Sequence, residues 1–253
     1  EIDAVWGGDK FAGGADAGDG AAAADGEDKD DFLELKRLNL EFTVPNSETT
    51  VKAGMQWMEL PSVALGANPV LSDDMPGVVV STPVADMADL TFGWTRKYEK
   101  VGTSSQGPGV DSFFASMPIE QDGFSFGPFV AYSIIGQNAW DGTYNSTGAK
   151  QTNVYQDDVT AYHLGTNFEV SQFDPIGVSA SFIYGSLSAD SSGNDAAGWY
   201  ADVAANYKMD SMTPEAFFMY TSGNDDDTTD GSEQMPVIDN VNLTSVYPSM
   251  LMG

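Results

Sequence analysis

The chain has 253 residues, ten Lys and Arg against 38 Asp and Glu, one His and no Cys. A formal charge of −28 leaves no basic stripe for nucleic-acid phosphates, and the lack of Cys excludes disulfides, thiolate metal sites and Cys nucleophiles. Fourteen Phe, ten Tyr and five Trp are too many for a disordered acidic chain. No apolar run reaches the ~18 residues of a transmembrane helix, which leaves open a barrel crossed by strands of ~9–11 alternating residues.

Taken in order, the segments alternate with period two. Glu1–Trp6 ends like a strand stub, without the basic head and apolar core of a secretory leader. Leu38, Leu40, Phe42 and Val44 share one face, as do Val51, Ala53, Met55 and Trp57. Residues 78–84 read as a strand with two apolar faces. Leu90, Phe92 and Trp94 alternate with Thr91, Gly93 and Thr95. The phase of 111–119 cannot be fixed from the sequence. Clear alternation returns in 124–134, 162–170, 176–185 and 199–207, and the phase is lost again in 214–222. The count is about ten strands plus the stub, with no competing helical stripe. Both termini read as cuts within a longer strand-rich sequence, so 1–253 is expected to form one incomplete domain.

The connections alternate short and long. Short links fall at 45–49, 85–88, 120–123, 171–175 and 210–213. Long ones fall at 8–31, 59–75, 99–109, 137–156, 186–197 and from 223 onward. A soluble sandwich has no physical reason for this regularity, whereas a membrane barrel has short turns on one side and long loops on the other. Trp57, Trp94, Tyr132, Tyr162, Tyr184, Trp199 and Tyr207 sit on the apolar parity near segment ends, where a membrane interface favours rings with a wet N–H or O–H. The fold class expected is therefore all-β, an antiparallel transmembrane β-barrel.

The runs Leu35–Pro45, Gly54–Trp57 through Leu60-Pro61, Asp73–Gly77, Phe168–Val170 through Phe173-Asp174-Pro175, Tyr184-Gly185 and Gly231–Ile238 come in a specific order along the chain. Together they resemble the outer-membrane homotrimeric porins of sulfate-reducing bacteria. The resemblance implies a trimer of roughly sixteen-stranded barrels in the bacterial outer membrane, in contact with lipid and lipopolysaccharide. It implies a passive channel for small hydrophilic solutes and ions. It also makes 59–75 the connection that folds inward to constrict the pore, and 8–31 the loop that latches neighbouring subunits.

By parity Arg37, Lys52 and Lys97 point into the lumen, and Glu59, Asp73 and Asp74 would face them from an inward 59–75 connection. Opposed charges across a narrow aqueous pore make a transverse field that sorts solutes. The bland alternative is that these charges merely line a wet lumen. Lys36 and Arg96 fall on the apolar parity and must lie above the lipid band or be re-aimed by a bulge.

No catalytic, metal or cofactor site is expected. His163 has no Ser or Asp partner in sequence, and lining the lumen is its simplest role. Asp226–Gly231 begins like a calcium loop, but its twelfth position is Val237, which supplies no carboxylate. The eight carboxylates of 8–31 lack ligand spacing and read as a solvated loop. Two rivals to the channel remain: a non-conducting outer-membrane or cell-surface β-protein, and a soluble sandwich hydrolase. The first would show no conductance, and the second would need a paired acid and base in a cleft.

Overall fold

The computed structural model describes residues 2–6, 33–61, 64, 66–96, 109–136, 159–188, 195–223 and 231–238; for 2–6 and 33–36 only backbone pairing is used. Among these residues there is no helix, and every strand belongs to one antiparallel sheet. The strands are β1 (Ile2–Trp6), β2 (Leu33–Thr43), β3 (Thr50–Glu59), β4 (Ser72–Ala85), β5 (Ala88–Arg96), β6 (Val110–Ser116), β7 (Ile119–Gln121), β8 (Phe124–Ile135), β9 (Val159–Phe173), β10 (Ile176–Ser188), β11 (Ala196–Tyr207) and β12 (Glu215–Thr221). They pair in the order β1-β2-β3-β4-β5-β6-β8-β9-β10-β11-β12, with β7 off this path. The short β7 lies between β5 and β8, as β6 does, so the two are halves of one crossing interrupted at Met117-Pro118. Counted that way, ten crossings follow the β1 stub, and β1 and β12 are the edges of the sheet among the described residues.

Strands run past their expected ends because ladder pairing outweighs local breakers. Asp73-Asp74-Met75-Pro76-Gly77 carries acid, Pro and Gly, yet all five pair with β3. The link at 171–175 contracts to Asp174-Pro175, since Phe173 pairs with Ile176 after a one-residue bulge. The alternation of short and long connections survives these shifts.

The sheet is strongly curved. A Cβ on Gly127 of β8 would lie 3.0 Å from the Cβ of Pro61, which is two residues beyond β3. In a flat sheet β8 lies four strand spacings from β3, about 19 Å at ~4.8 Å each, and two residues reach only about 7 Å. The Ala64 N–H, five residues beyond β3, donates to Ser181 Oγ on β10 at 2.8 Å. That gap is about 29 Å if flat, against a reach of about 17 Å. The wall must therefore wrap round, with the 60–71 connection on its concave side.

The two faces are inverted relative to a soluble protein. On the convex face Leu40 is 66% exposed, Leu164 57% and Phe218 64%, in company with Leu38, Phe92, Val130, Phe182 and Val203. On the concave face Gln56, Thr95, Ser112, Ser133, His163 and Asp202 are buried. The apolar core also lies on the concave side, where Met58, Leu60, Val70, Leu71, Met75, Phe114, Phe129, Ile135, Ile183, Tyr200 and Met235 cluster. Burial of apolar area against the inside of a curved wall thus supplies the internal packing.

Aromatic residues form rows across the convex face. Trp94 pairs with Phe113, Phe113 with Tyr132 and Tyr132 with Tyr162. The row continues through Tyr184, paired with Trp199, to Tyr220, whose ring stacks on Trp199 at 4.9 Å. All lie toward the long-connection ends of their strands. Toward the short turns are Phe173, Ile176 and Tyr207, paired in sequence. Tyr162 and Phe173 stand eleven residues apart, and Trp199 and Tyr207 eight. At ~3.3 Å per residue and a tilt of ~40° these separations span roughly 20–28 Å, bracketing the ~25 Å apolar band of membrane barrels.

Candidate functional site

The concave face and the segments folded onto it form the candidate site. The 60–71 connection is held at its neck by the Leu60 N–H, which donates to the Leu71 carbonyl at 3.0 Å. Asn68, fully buried, donates through Nδ2 to the Pro61 carbonyl at 2.8 Å and accepts from the Val70 N–H at 2.9 Å. This one side chain does the work of a backbone turn, and it leaves Leu60, Val70 and Leu71 free to pack against the wall. Beneath the connection a cavity of about 410 Å³ is lined by Leu60, Pro61, Thr91, Ser116, Ser125 and Asn167. Its lining is mixed, with hydroxyl and amide groups beside apolar surface, as suits water and small polar solutes.

The charged residues singled out from sequence fall as follows. Glu59, Asp73 and Asp74 are strand residues, in β3 and β4, flanking a connection that spans only 60–71. Arg37 and Asp74 meet as an ion pair. They do so on the face of Trp57: Asp74 is its direct cross-strand partner, and the Arg37 guanidinium lies 5.5 Å from the Trp57 ring centroid. The Trp57 indole N–H donates to Glu59 Oε2 at 3.2 Å. Trp57 shares the convex face with Leu38 and Met55, so the Arg37–Asp74 pair lies at the outer rim. The physical reason is local. Asp3 pairs with Arg37 but Ala4 with Leu35, so the backbone carries a one-residue bulge at Lys36, directly beside Arg37.

Lys52 stands on the concave parity and faces its cross-strand partner Glu41, with Nζ 3.9 Å from Oε2. Asp73 is opposite Met58 on the concave parity. Arg96 forms a two-pronged pair with Asp111, at 3.0 and 2.6 Å, and the Trp94 indole N–H donates to the same carboxylate at 3.0 Å. That group repeats the Arg–Asp–Trp arrangement of Arg37, Asp74 and Trp57, again at the long-connection end. These ion pairs all run along the wall between neighbouring or next-neighbouring strands. Lys97, the 8–31 loop and Asp226–Asp230 lie outside the described residues.

His163 is 2% exposed and its Nε2 is 2.8 Å from the Pro236 carbonyl, so Nε2 carries the proton and donates. Tyr200 donates its hydroxyl to Asp202 Oδ2 at 2.7 Å nearby on β11. No group of three or more His, Asp or Glu side chains is placed to hold a metal ion among the described residues. Sequence reasoning missed segment 231–238 as part of the site. Its Met235-Pro236-Val237-Ile238 run, apolar in the middle of a long connection, was the available signal.

No protein-family model and no curated protein sequence matches the chain. Among solved structures it is similar to OmpT (in-vitro folded), an outer membrane protein of Vibrio cholerae. The identity is 14% and the TM-score 0.46, over 82% of this chain and 62% of that one. A trimer form of the same Vibrio cholerae protein gives 11% identity and a TM-score of 0.42, over 82% and 78% of the two chains. The chain thus spans about 62% of the length of the first of these structures.

Proposed function

We propose that this chain is part of a bacterial outer-membrane β-barrel porin, a passive channel for small hydrophilic solutes and ions rather than an enzyme. The observation that carries this is the inversion of its faces. An apolar convex face edged by aromatic rows surrounds a concave face with buried polar groups and an inward connection. Water has no reason to favour such an exterior, and lipid does. The proposed assembly is a homotrimer in contact with lipid and lipopolysaccharide, with the 60–71 connection as its constriction. The Arg37–Asp74 and Arg96–Asp111 groups, with their Trp neighbours, sit where a headgroup interface would place them.

The lumenal field follows from which charges remain inward. Arg37 and Arg96 are paired at the rim. On the concave parity Lys52 is met by Glu41, with Asp73, Asp89, Glu169 and Asp202 on the same side of the wall. At the short-turn end a hollow of about 720 Å³ is bordered by Glu48, Asp86, Asp89 and Glu120. A cleft lined by one sign of charge concentrates counter-ions, so cation preference is proposed.

The test is planar-bilayer conductance of the full-length protein with a salt gradient across the membrane. Stepwise conductance and a reversal potential of the sign for cation flow are the expected results. An anion-selective potential would reject the charge argument while keeping the channel. A folded, detergent-stable barrel without conductance would reject the channel in favour of a non-conducting surface protein.

A further inference from the structure

We propose that residues 231–238 form a second inward strap, seated in a glycine trough on β10 and β11 and held by His163, which narrows the lumen independently of the 60–71 connection. The narrowing rests on the channel function proposed above; the docking does not.

The trough is built by register. Gly185 on β10 pairs directly with Gly198 on β11, and His163 on β9 pairs with Gly185, so the three stand side by side on the concave face. A Cβ on Gly198 would come within 2.2 Å of the Glu233 carbonyl oxygen and 2.5 Å of the Met235 nitrogen. A Cβ on Gly185 would lie 3.2 Å from Met235 Cγ and 2.6 Å from His163 Cδ2. The strap's backbone therefore occupies the space a side chain would fill at Gly198, and the Met235 and His163 side chains occupy that at Gly185.

It is fastened at both ends of this contact. Ser232 accepts from the Ala197 N–H and donates to the Asp195 carbonyl, each at 2.8 Å, in a short parallel bridge beside β11. At the other end the buried His163 donates to the Pro236 carbonyl. Met235, between these fastenings, and Ile238, two residues beyond Pro236, are buried in the same apolar cluster as Leu60 and Leu71. Two inward segments from distant parts of the sequence thus meet over one wall. The 60–71 connection reaches it from β3, and the strap lies on β9–β11. Chain that occupies the concave side takes cross-section from any path along it, and the strap needs no contact with solute to do so.

This chain contains no Cys, so a single introduced thiol gives a direct test once any Cys elsewhere in the full-length protein is replaced by Ser. The full-length protein carrying Met235→Cys, folded in lipid vesicles, is treated with a water-soluble maleimide. Labelling is expected to be slow beside that of an Asp86→Cys reference at an exposed turn. Gly198→Val, which denies the strap its seat, should speed Met235→Cys labelling on the order of ten-fold by favouring local opening. It should also raise single-channel conductance by roughly half or more. His163→Leu keeps the wall's bulk and removes only the donor, so it replaces Gly198→Val if that variant fails to fold by gel mobility. A Met235→Cys that labels as fast as Asp86→Cys would overturn the docking. Released labelling with unchanged conductance would overturn the narrowing. A protected thiol in a protein that conducts nothing would reject the channel and the narrowing together, while upholding the docked strap.

Discussion

Val203→Arg is expected to destabilise the folded protein in bilayers by roughly 2–4 kcal/mol, the cost of a cation at the middle of a lipid-facing band. Val203 is on the convex face of β11, four residues from Trp199 and four from Tyr207, and is 41% exposed. Its cross-strand neighbours are Ala180 and Phe218. The same substitution on the solvent face of a water-soluble sheet stays within about 0.5 kcal/mol. The two environments therefore differ several-fold in the predicted effect at one position. Equilibrium urea unfolding from vesicles reads the difference, and Val203→Ile serves as a control that keeps the face apolar. A near-neutral Val203→Arg would place this face in water and remove the basis of the membrane reading.

Replacing residues 61–70 by a short Gly-Ser linker is expected to raise single-channel conductance about two-fold or more, because it removes the chain that crosses the concave side. The linker has only to join Leu60 to Leu71, whose backbones already bond at 3.0 Å. Loss of Leu60 and Val70 packing would lower stability, since large-to-small core changes cost about 2–5 kcal/mol each and Val70 is deleted outright. The diagnostic result is conductance from molecules that remain folded. An unchanged conductance would mean that the connection lies beside the solute path and that some other element sets its width.

Much of the wall was legible in the sequence because one face of most strands is exposed and apolar and the other carries polar groups or buried packing. In β9, Tyr162, Leu164 and Phe168 alternate with His163, Gly165 and Asn167, and the structure places them on opposite faces as the parity demands. Legibility failed where the concave face is itself apolar. In β6, Phe113 faces outward while Phe114 is buried against the space left by Gly93, so two adjacent rings erase the period. In β12, Phe217 and Met219 face inward beside the outward Phe218 and Tyr220, with the same consequence. The charged site was legible in part. Parity places Lys52 inward, as found, and a Lys36 on the apolar parity calls for a bulge, but parity also sends Arg37 inward and cannot show that the bulge beside it defeats that reading.

The bond between Ala64 and Ser181 makes the inward connection a spoke as well as an obstruction. It ties the end of β3 to β10, six strands round the wall, and so sets a fixed chord in a sheet that would otherwise be free to change its radius. Thermal breathing of the cross-section must then stretch or release that spoke before it can alter the opening. In the proposed channel, aperture and girth would in this way be one mechanical quantity, and a solute that pulled on the connection would be felt by strands it never touched.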